Sequence, residues 1–102
     1  MKRLQIAQVQ RQRSSLITRF FIFKFRPNDQ KKTGLAFAFS RKMGNAVVRN
    51  RFKRRIREIM RLNLPATTRV DVMCIAKKSL LALNEPAWEL EREKIREWCA
   101  HL

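Results

Sequence analysis

The sequence predicts one small α+β domain, and three patterns support this prediction. Residues 19–26 and 34–40 alternate large apolar residues with others, which is the period of a half-buried strand. Residues 48–59 carry apolar side chains at helical spacing. Residues 72–76 form an unbroken apolar run, which is typical of a strand buried on both faces. Because 102 residues leave room for a single core, we expect one domain over residues 1–102.

The aromatic strand over residues 19–26 has two different faces. Its inward residues are predicted to be Phe21, Phe23 and Phe25. The alternate positions share the outer face: Phe20, Ile22, Lys24 and Arg26. Apolar groups mixed with cations are unusual on a face that meets only water, so this face is a candidate for binding.

The strand over residues 34–40 is expected to pair with the first strand as an antiparallel hairpin. Its large residues would join the same core: Leu35, Phe37 and Phe39. Ala36 and Ala38 would then leave a shallow floor on the outer face. Two interpretations of that face stay open. It could form a groove for unpaired nucleotides, or a short first helix over residues 4–13 could simply cover it.

The central helix is strongly basic but keeps an apolar stripe. Asn45 is the expected N-cap, and Pro65 prevents the helix from continuing far beyond Leu62. The stripe has spacings of four, four and three: Val48, Phe52, Ile56 and Ile59. The opposite side is basic: Arg49, Lys53, Arg54, Arg57 and Arg61. Arg55 falls at the edge of the apolar arc, so its stem should lie over the core boundary.

The last third of the chain completes the sheet and adds a helix. The strand over residues 69–77 could lie parallel to that over 34–40, since strand, helix and strand in this order form a crossover. A final helix is predicted after Asn84, with Pro86 in its first turn. Its apolar stripe holds both tryptophans, as packing anchors: Trp88, Ile95, Trp98 and Leu102.

The charge distribution points to a polyanionic partner. The chain has a net charge of +16, and all of the excess lies in residues 1–63; residues 64–102 contain six basic and six acidic residues. Such a field favours nucleic acid above an anionic membrane surface, because the apolar stripe of the central helix is narrow and is needed for the core. No apolar run approaches the length of about 20 residues that a membrane-spanning helix needs.

The chain offers little chemistry of its own. His101 is the only histidine, and Cys74 and Cys99 are far apart, so neither a metal site nor a nucleophile–base pair is predicted. Glu58 is expected to pair with an arginine of its own helix instead of acting as a base. We therefore expect no catalytic residue and no metal ligand, and free thiols of this kind suit a reducing, cytoplasmic setting.

The segment FSRKMGNAVVRNRFKRRIRE resembles the signature of the bacterial ribonuclease P protein subunit family, roughly S-K/R-K-x-G-N-A-V-x-R-N-R-x-K-R-x-x-R. The matching positions are Ser40, Arg41, Lys42, Gly44, Asn45, Ala46, Val47, Arg49, Asn50, Arg51, Lys53, Arg54 and Arg57. The likeness covers most of residues 16–102. Lys24 departs from it, where an aromatic residue is frequent, and so does Arg13, where glycine is usual.

The resemblance implies an α/β sandwich of order αβββαβα, with a central sheet and a left-handed crossover around the basic helix. It implies a protein that works with a catalytic RNA, which together with Mg²⁺ removes the 5′ leader of precursor tRNA. No membrane and no further protein partner are expected. The implied RNA-contacting residues are Arg41, Lys42, Asn45, Arg49, Asn50, Arg51, Lys53, Arg54 and Arg57. The implied leader cleft is lined by Phe20, Ile22, Lys24, Ala36 and Ala38.

Two other functions stay open on the residues alone. A non-enzymatic module for structured RNA would bind RNA without affecting leader cleavage. A DNA-binding domain would insert the basic helix into a major groove, although so many arginines on a short helix give no clear set of base-reading side chains.

Overall fold

The computed structural model describes residues 3–28, 33–40, 42 and 44–102. The elements follow the order αβββαβα: α1 (Arg3–Gln10), β1 (Leu16–Ile17), β2 (Phe21–Pro27), β3 (Gly34–Ala38), α2 (Ala46–Asn63), β4 (Val70–Ala76) and α3 (Glu85–Ala100). A 3₁₀ helix, Lys78–Ala82, joins β4 to α3. The predicted α+β class and element order are confirmed.

The four strands form one sheet in the order β1-β2-β4-β3. β3 runs parallel to β4, as the crossover prediction requires, whereas β2 runs antiparallel to β4. The predicted hairpin between β2 and β3 is wrong, because β4 lies between them. β4 is the strand with apolar residues on both faces, so burial is greatest when it takes a central position. The handedness of the crossover stays a prediction.

Helices cover both faces of the sheet. On one face, α2 and α3 pack over a continuous core that includes Phe21, Phe23, Phe52, Ile56, Val72, Cys74, Trp88 and Ile95. On the other face, α1 packs against β2 and β4. Val9 of α1 and Met73 of β4 are both buried there. The result is the predicted sandwich, with the sheet as its middle layer.

The start of α2 is fixed by two adjacent residues. The side-chain oxygen of Asn45 accepts a hydrogen bond from the backbone N–H of Val48 at 3.0 Å, which confirms the predicted N-cap. Gly44 has a φ of +106°, and a Cβ at this position would lie 3.3 Å from the Val48 side chain. A glycine is therefore favoured here both by its backbone angle and by the available space.

The apolar stripes of both long helices lie as predicted. Phe52, Ile56 and Ile59 of α2 are buried, together with Met60. In α3, Trp88 and Ile95 are buried. The Asn84 side chain caps α3 by accepting from the backbone N–H of Ala87 at 2.9 Å, so this N-cap is confirmed as well.

Candidate RNA-binding surface

The basic face of α2 is the main cationic surface of the described chain. Arg51, Arg54 and Arg57 are exposed, and so is Asn50. Arg49 and Lys53 are half-buried at the side of the helix. Lys42 and the cap Asn45 are exposed ahead of the first turn, while Arg41 lies outside the described residues. The sequence therefore located the exposed cations, but not the partial burial of Arg49 and Lys53.

Two aromatic residues, Phe37 in β3 and Phe39 directly after it, support the cations at the side of α2. The Nζ atom of Lys53 lies 5.9 Å from the ring centre of Phe37 and 5.8 Å from that of Phe39. The guanidinium carbon of Arg57 lies 5.2 Å from the ring centre of Phe37. Cations within about 6 Å of a ring face are attracted by the ring quadrupole. Edge strand β3 thus orients part of the basic face, a role that sequence patterns did not indicate.

Arg49 carries an unsatisfied hydrogen-bond donor. Its Nε atom is buried and has no hydrogen-bond partner among the residues that the structure describes. A buried donor of this kind raises the free energy of the folded state unless an acceptor is supplied. Arg49 lies one helical turn before Lys53, on the same side of α2.

Two other arginines of α2 are occupied within the protein. Arg55 donates to Glu85 at 2.9 Å, and its guanidinium carbon lies 5.6 Å from the Phe52 ring centre and 5.4 Å from that of Trp88. This confirms its predicted position at the core boundary. Arg61 pairs with Glu58 at 2.5 Å, and its hydrogen bond lowers the pKa of the Glu58 carboxyl. Glu58 is thus a partner within the helix, as expected.

The outer face of the sheet is only partly open. Ile22 and Ala38 flank Ile75 of β4, and Lys24 and Ala36 flank Met73 in the next row. On the β2 side, Lys24 donates from Nζ to the backbone oxygen of Gln10 at 3.1 Å. Arg26 likewise donates to the Oε1 atom of Gln8. Because α1 and β2 are tied together, the accessible floor shifts toward β3, where Ala36 is half-buried and Ala38 is exposed.

Phe20 is a correction to the predicted cleft. Its side chain is only 3% exposed and belongs to the core, so it does not line the outer face. The cause is a turn at Thr18, whose Oγ1 atom accepts from the backbone N–H groups of Phe20 and Phe21 at 3.3 and 3.0 Å. β2 therefore begins at Phe21, and the alternation of the strand does not extend back to Phe20.

Both cysteine thiols are buried. Burial raises the pKa of the Cys99 thiol to about 12 and that of Cys74 well above its ordinary value. Both thiols therefore stay protonated at neutral pH, where they are poor nucleophiles. In the described part of the chain, no group of three or more His, Cys, Asp or Glu residues could hold a metal ion. No described helix is long and apolar enough to cross a membrane.

Comparison with known proteins identifies the family. The model of the family described as Ribonuclease P matches residues 1–100. The ribonuclease P protein component of Citrifermentans bemidjiense is 38% identical over 84 residues, which cover 82% of this chain and 72% of that protein. The corresponding protein of Mycoplasma mycoides is 41% identical over 66 residues, or 63% of this chain and 61% of that one.

Solved structures agree with this family at the level of the fold. The RNase P protein of Thermotoga maritima, in complex with 1-(4-fluorophenyl)-2-thiourea, aligns with a TM-score of 0.75 and 27% identity over 100% of this chain and 99% of that one. The RNase P protein of Staphylococcus aureus has the same fold, with a TM-score of 0.70 and 23% identity over 99% and 87% of the two chains. The resemblance carried by residues 39–58 is thus confirmed, and the chain belongs to the family of ribonuclease P protein components.

Proposed function

We propose that the basic face of α2 binds the catalytic RNA subunit of ribonuclease P. The observation that carries this proposal is a set of exposed cations on one side of α2 that form no ion pair with a carboxylate among the described residues, namely Arg51, Arg54 and Arg57. Arginine forks suit phosphate oxygens, and each phosphate contact releases counterions. Asn50 and Asn45 add amide groups that can bond to a ribose hydroxyl or a base edge.

Hydrolysis of precursor tRNA is assigned to the catalytic RNA and its Mg²⁺ ions. Mg²⁺ prefers carboxylate and other oxygen ligands, and the described residues hold no group of three or more His, Cys, Asp or Glu residues that could bind a metal ion. The groups that we assign in this chain are guanidinium, ammonium and amide groups. Such groups bind phosphate and reduce the repulsion between two RNA molecules, but they do not activate a water molecule at neutral pH. We assign the chain no catalytic residue.

The 5′ leader is proposed to pass over the outer face of the sheet next to β3. Ala36 and Ala38 form a floor without large side chains, and Ile22 adds apolar surface in the row of Ala38. Lys24 would contact the leader only at its edge, because its Nζ atom already bonds to Gln10. Phe20 is excluded from this cleft by its burial.

Reconstitution with the cognate catalytic RNA tests the proposal. At low magnesium, adding the protein should increase cleavage of the leader from precursor tRNA. The Arg51→Ala variant should weaken RNA binding and lower the slope of log K against log salt by about one unit, with stability unchanged. Arg96→Ala on α3 is the matched control, since Arg96 is similarly exposed but pairs with Glu93 at 2.5 Å. Unchanged leader cleavage on addition of the protein would show that the assignment is wrong.

A competition binding experiment distinguishes recognition of the leader in the cleft from general affinity for RNA. Precursor tRNA, mature tRNA and duplex DNA should be compared at the same salt concentration. Stronger binding of precursor over mature tRNA is expected if the leader lies in the cleft. Equal affinity for the two tRNAs would contradict the proposed leader cleft. Higher affinity for duplex DNA than for either tRNA would contradict the proposal that the partner is RNA.

We propose a cytoplasmic location. Cys74 and Cys99 are free, buried thiols, and unpaired cysteines suit a reducing compartment. Fractionation of the native cells, with the catalytic RNA as marker, would test this location.

A further inference from the structure

A second cationic groove lies at the β1 edge of the sheet, away from the β3 edge that supports the basic face of α2. It has a volume of about 580 Å³ and is lined by residues 11–15, Phe25 and Pro27. We call it the far-edge groove. β1 forms this edge of the sheet, whereas β3, which supports Lys53 and Arg57, forms the other edge. The far-edge groove is therefore separate from the basic face of α2 and from the proposed leader floor.

The floor of the far-edge groove is aromatic. Phe25 is half-buried and meets Trp98 in an edge-on arrangement, with 6.2 Å between ring centres. The indole N–H of Trp98 donates to the Oγ atom of Ser15 at 2.8 Å. Trp98 thus joins the base of the groove to its wall.

The wall of the far-edge groove is held in place by main-chain hydrogen bonds. The N–H of Ser15 donates to the oxygen of Phe23 in β2 at 2.8 Å, and the N–H of Gln12 donates to the oxygen of Val9 in α1 at 3.0 Å. Segment 11–15 is therefore fixed at both ends, to the helix and to the sheet. A site of this kind is largely formed before any ligand arrives, which lowers the entropy lost on binding.

Two cations of the far-edge groove are free to bind an anion. Arg11 and Arg13 are exposed, and neither forms an ion pair with a carboxylate among the described residues. By contrast, Arg92 and Arg96 of α3 pair with Glu89 and Glu93. The positive charge of the far-edge groove is therefore available to an outside partner.

We infer that the far-edge groove is a second binding site for unpaired RNA. Sites for single strands combine cations that follow the backbone with aromatic rings against which bases stack. Here Arg11 and Arg13 would contact successive phosphates, and a base would lie against Phe25. The volume falls within the range of about 300–1,000 Å³ that is usual for small-ligand pockets, so it can hold one nucleotide unit. This inference goes beyond the proposed function and does not depend on it.

The two tryptophans allow a direct test with the full-length protein. A short single-stranded oligoribonucleotide is titrated into ¹⁵N-labelled protein, and both indole N–H resonances are followed. The Trp98 resonance should shift, because its N–H bonds to Ser15 in the groove wall. In the R11Q/R13Q variant this shift should be lost, and the salt slope of binding should fall by about 1.4, or 0.7 for each single-strand phosphate contact.

A second double variant separates the two surfaces. In R51Q/R54Q the basic face of α2 is weakened, but the Trp98 shift should persist. Trp88 lies under Arg55 near the start of α3, whereas Trp98 lies near its end, so Trp88 reports the region of Arg55. A Trp98 resonance that does not move in wild-type protein would overturn the inference, as would a shift that survives in R11Q/R13Q. Inorganic phosphate alone should leave Trp98 unshifted, whereas an equal shift with phosphate would reduce the groove to an ordinary anion site and overturn the RNA assignment.

The RNA in this groove could come from the catalytic RNA or from the substrate, which share the same chemistry. A loss of affinity of R11Q/R13Q for the catalytic RNA alone would identify the first source. A loss that grows with leader length on precursor tRNA would identify the second. Equal affinities of the variant and wild type in both assays would overturn the inference.

Discussion

α2 and α3 pack side by side on the same face of the sheet, but they differ in how their charges are paired. Both bury an apolar stripe, and the rings of Phe52 and Trp88 meet between them at 5.7 Å. α2 carries seven basic residues and one glutamate, whereas α3 carries three basic residues and five glutamates. In α3, Arg92 and Arg96 pair with glutamates three positions earlier. Within the described part of the chain, most cations of α2 have no carboxylate partner, and we assign RNA binding to α2 for this reason.

The difference shows that charge density alone does not mark a binding surface. An arginine held by a carboxylate of the same protein, on its own helix or on a neighbouring one, must break that pair before it can meet a phosphate. Arg55 and Arg61 belong to this class although they lie on the basic helix. A binding surface is marked instead by exposed cations that form no ion pair within the protein, and the sequence predicts only some of these.

The largest expected effect tests the shared packing role of the two helices. Ile56 of α2 and Ile95 of α3 are both fully buried. Ile56→Ala and Ile95→Ala should each lower the free energy of unfolding by about 2–5 kcal/mol, because each leaves a cavity in the same core. Denaturant titration measures both. A cost well below this range for either variant would show that its helix contributes less to the core than its burial indicates.

The next effect tests the difference between the helices. Arg51→Gln with Arg54→Gln should weaken binding to the catalytic RNA roughly 100-fold at about 0.1 M salt, since two phosphate contacts are lost. The matched double variant Arg92→Gln with Arg96→Gln removes the same charge from α3 and should change affinity little. Filter binding over a range of salt concentrations measures both. Equal losses would mean that only net charge matters, and the comparison would fail.

Substitutions at the two N-caps should have a smaller effect, and they distinguish a role in stability from a role in RNA binding. Asn45→Ala and Asn84→Ala should each cost about 1 kcal/mol of stability, because each removes a side-chain acceptor from a helix N-terminus. Only Asn45→Ala should also weaken RNA binding. Asn45→Ser retains a good cap and should restore stability. If Asn45→Ser also restores full RNA affinity, the Asn45 amide does not contact RNA directly.

The smallest effect concerns the single glutamate of α2. Glu58→Gln removes a negative charge from the basic helix, so RNA affinity should rise by about twofold at low salt. Glu93→Gln on α3 is the control and should change RNA affinity less, because Glu93 pairs with Arg96 of its own helix. Fluorescence anisotropy with the catalytic RNA can resolve this difference. A fall in affinity for Glu58→Gln would show that the Glu58–Arg61 pair orients the RNA-binding side chains.

Local features of this chain followed directly from its sequence. The caps Asn45 and Asn84 depend on hydrogen bonds that close within three residues, so their position could be read from neighbouring residues. The stripe of Phe52, Ile56 and Ile59 depends only on the helical repeat. The same reasoning placed Arg54 and Arg57 on the exposed side of α2, whereas Arg51 was indicated by the family resemblance. These predictions needed no knowledge of which strands are neighbours.

Features that depend on contacts distant in sequence were decided by the tertiary structure. β4 separates β2 from β3 because only β4 is buried along both faces, and alternation within β2 and β3 does not specify a neighbour. Phe20 leaves the outer face because Thr18 turns the chain before β2 begins. α1 engages Lys24, β3 supports Lys53, and segment 11–15 meets Phe25 at the far edge. The sequence by itself thus determined the basic helix and its exposed charge, whereas the packing of distant segments decided which cations are supported, which are occupied and where a second groove forms.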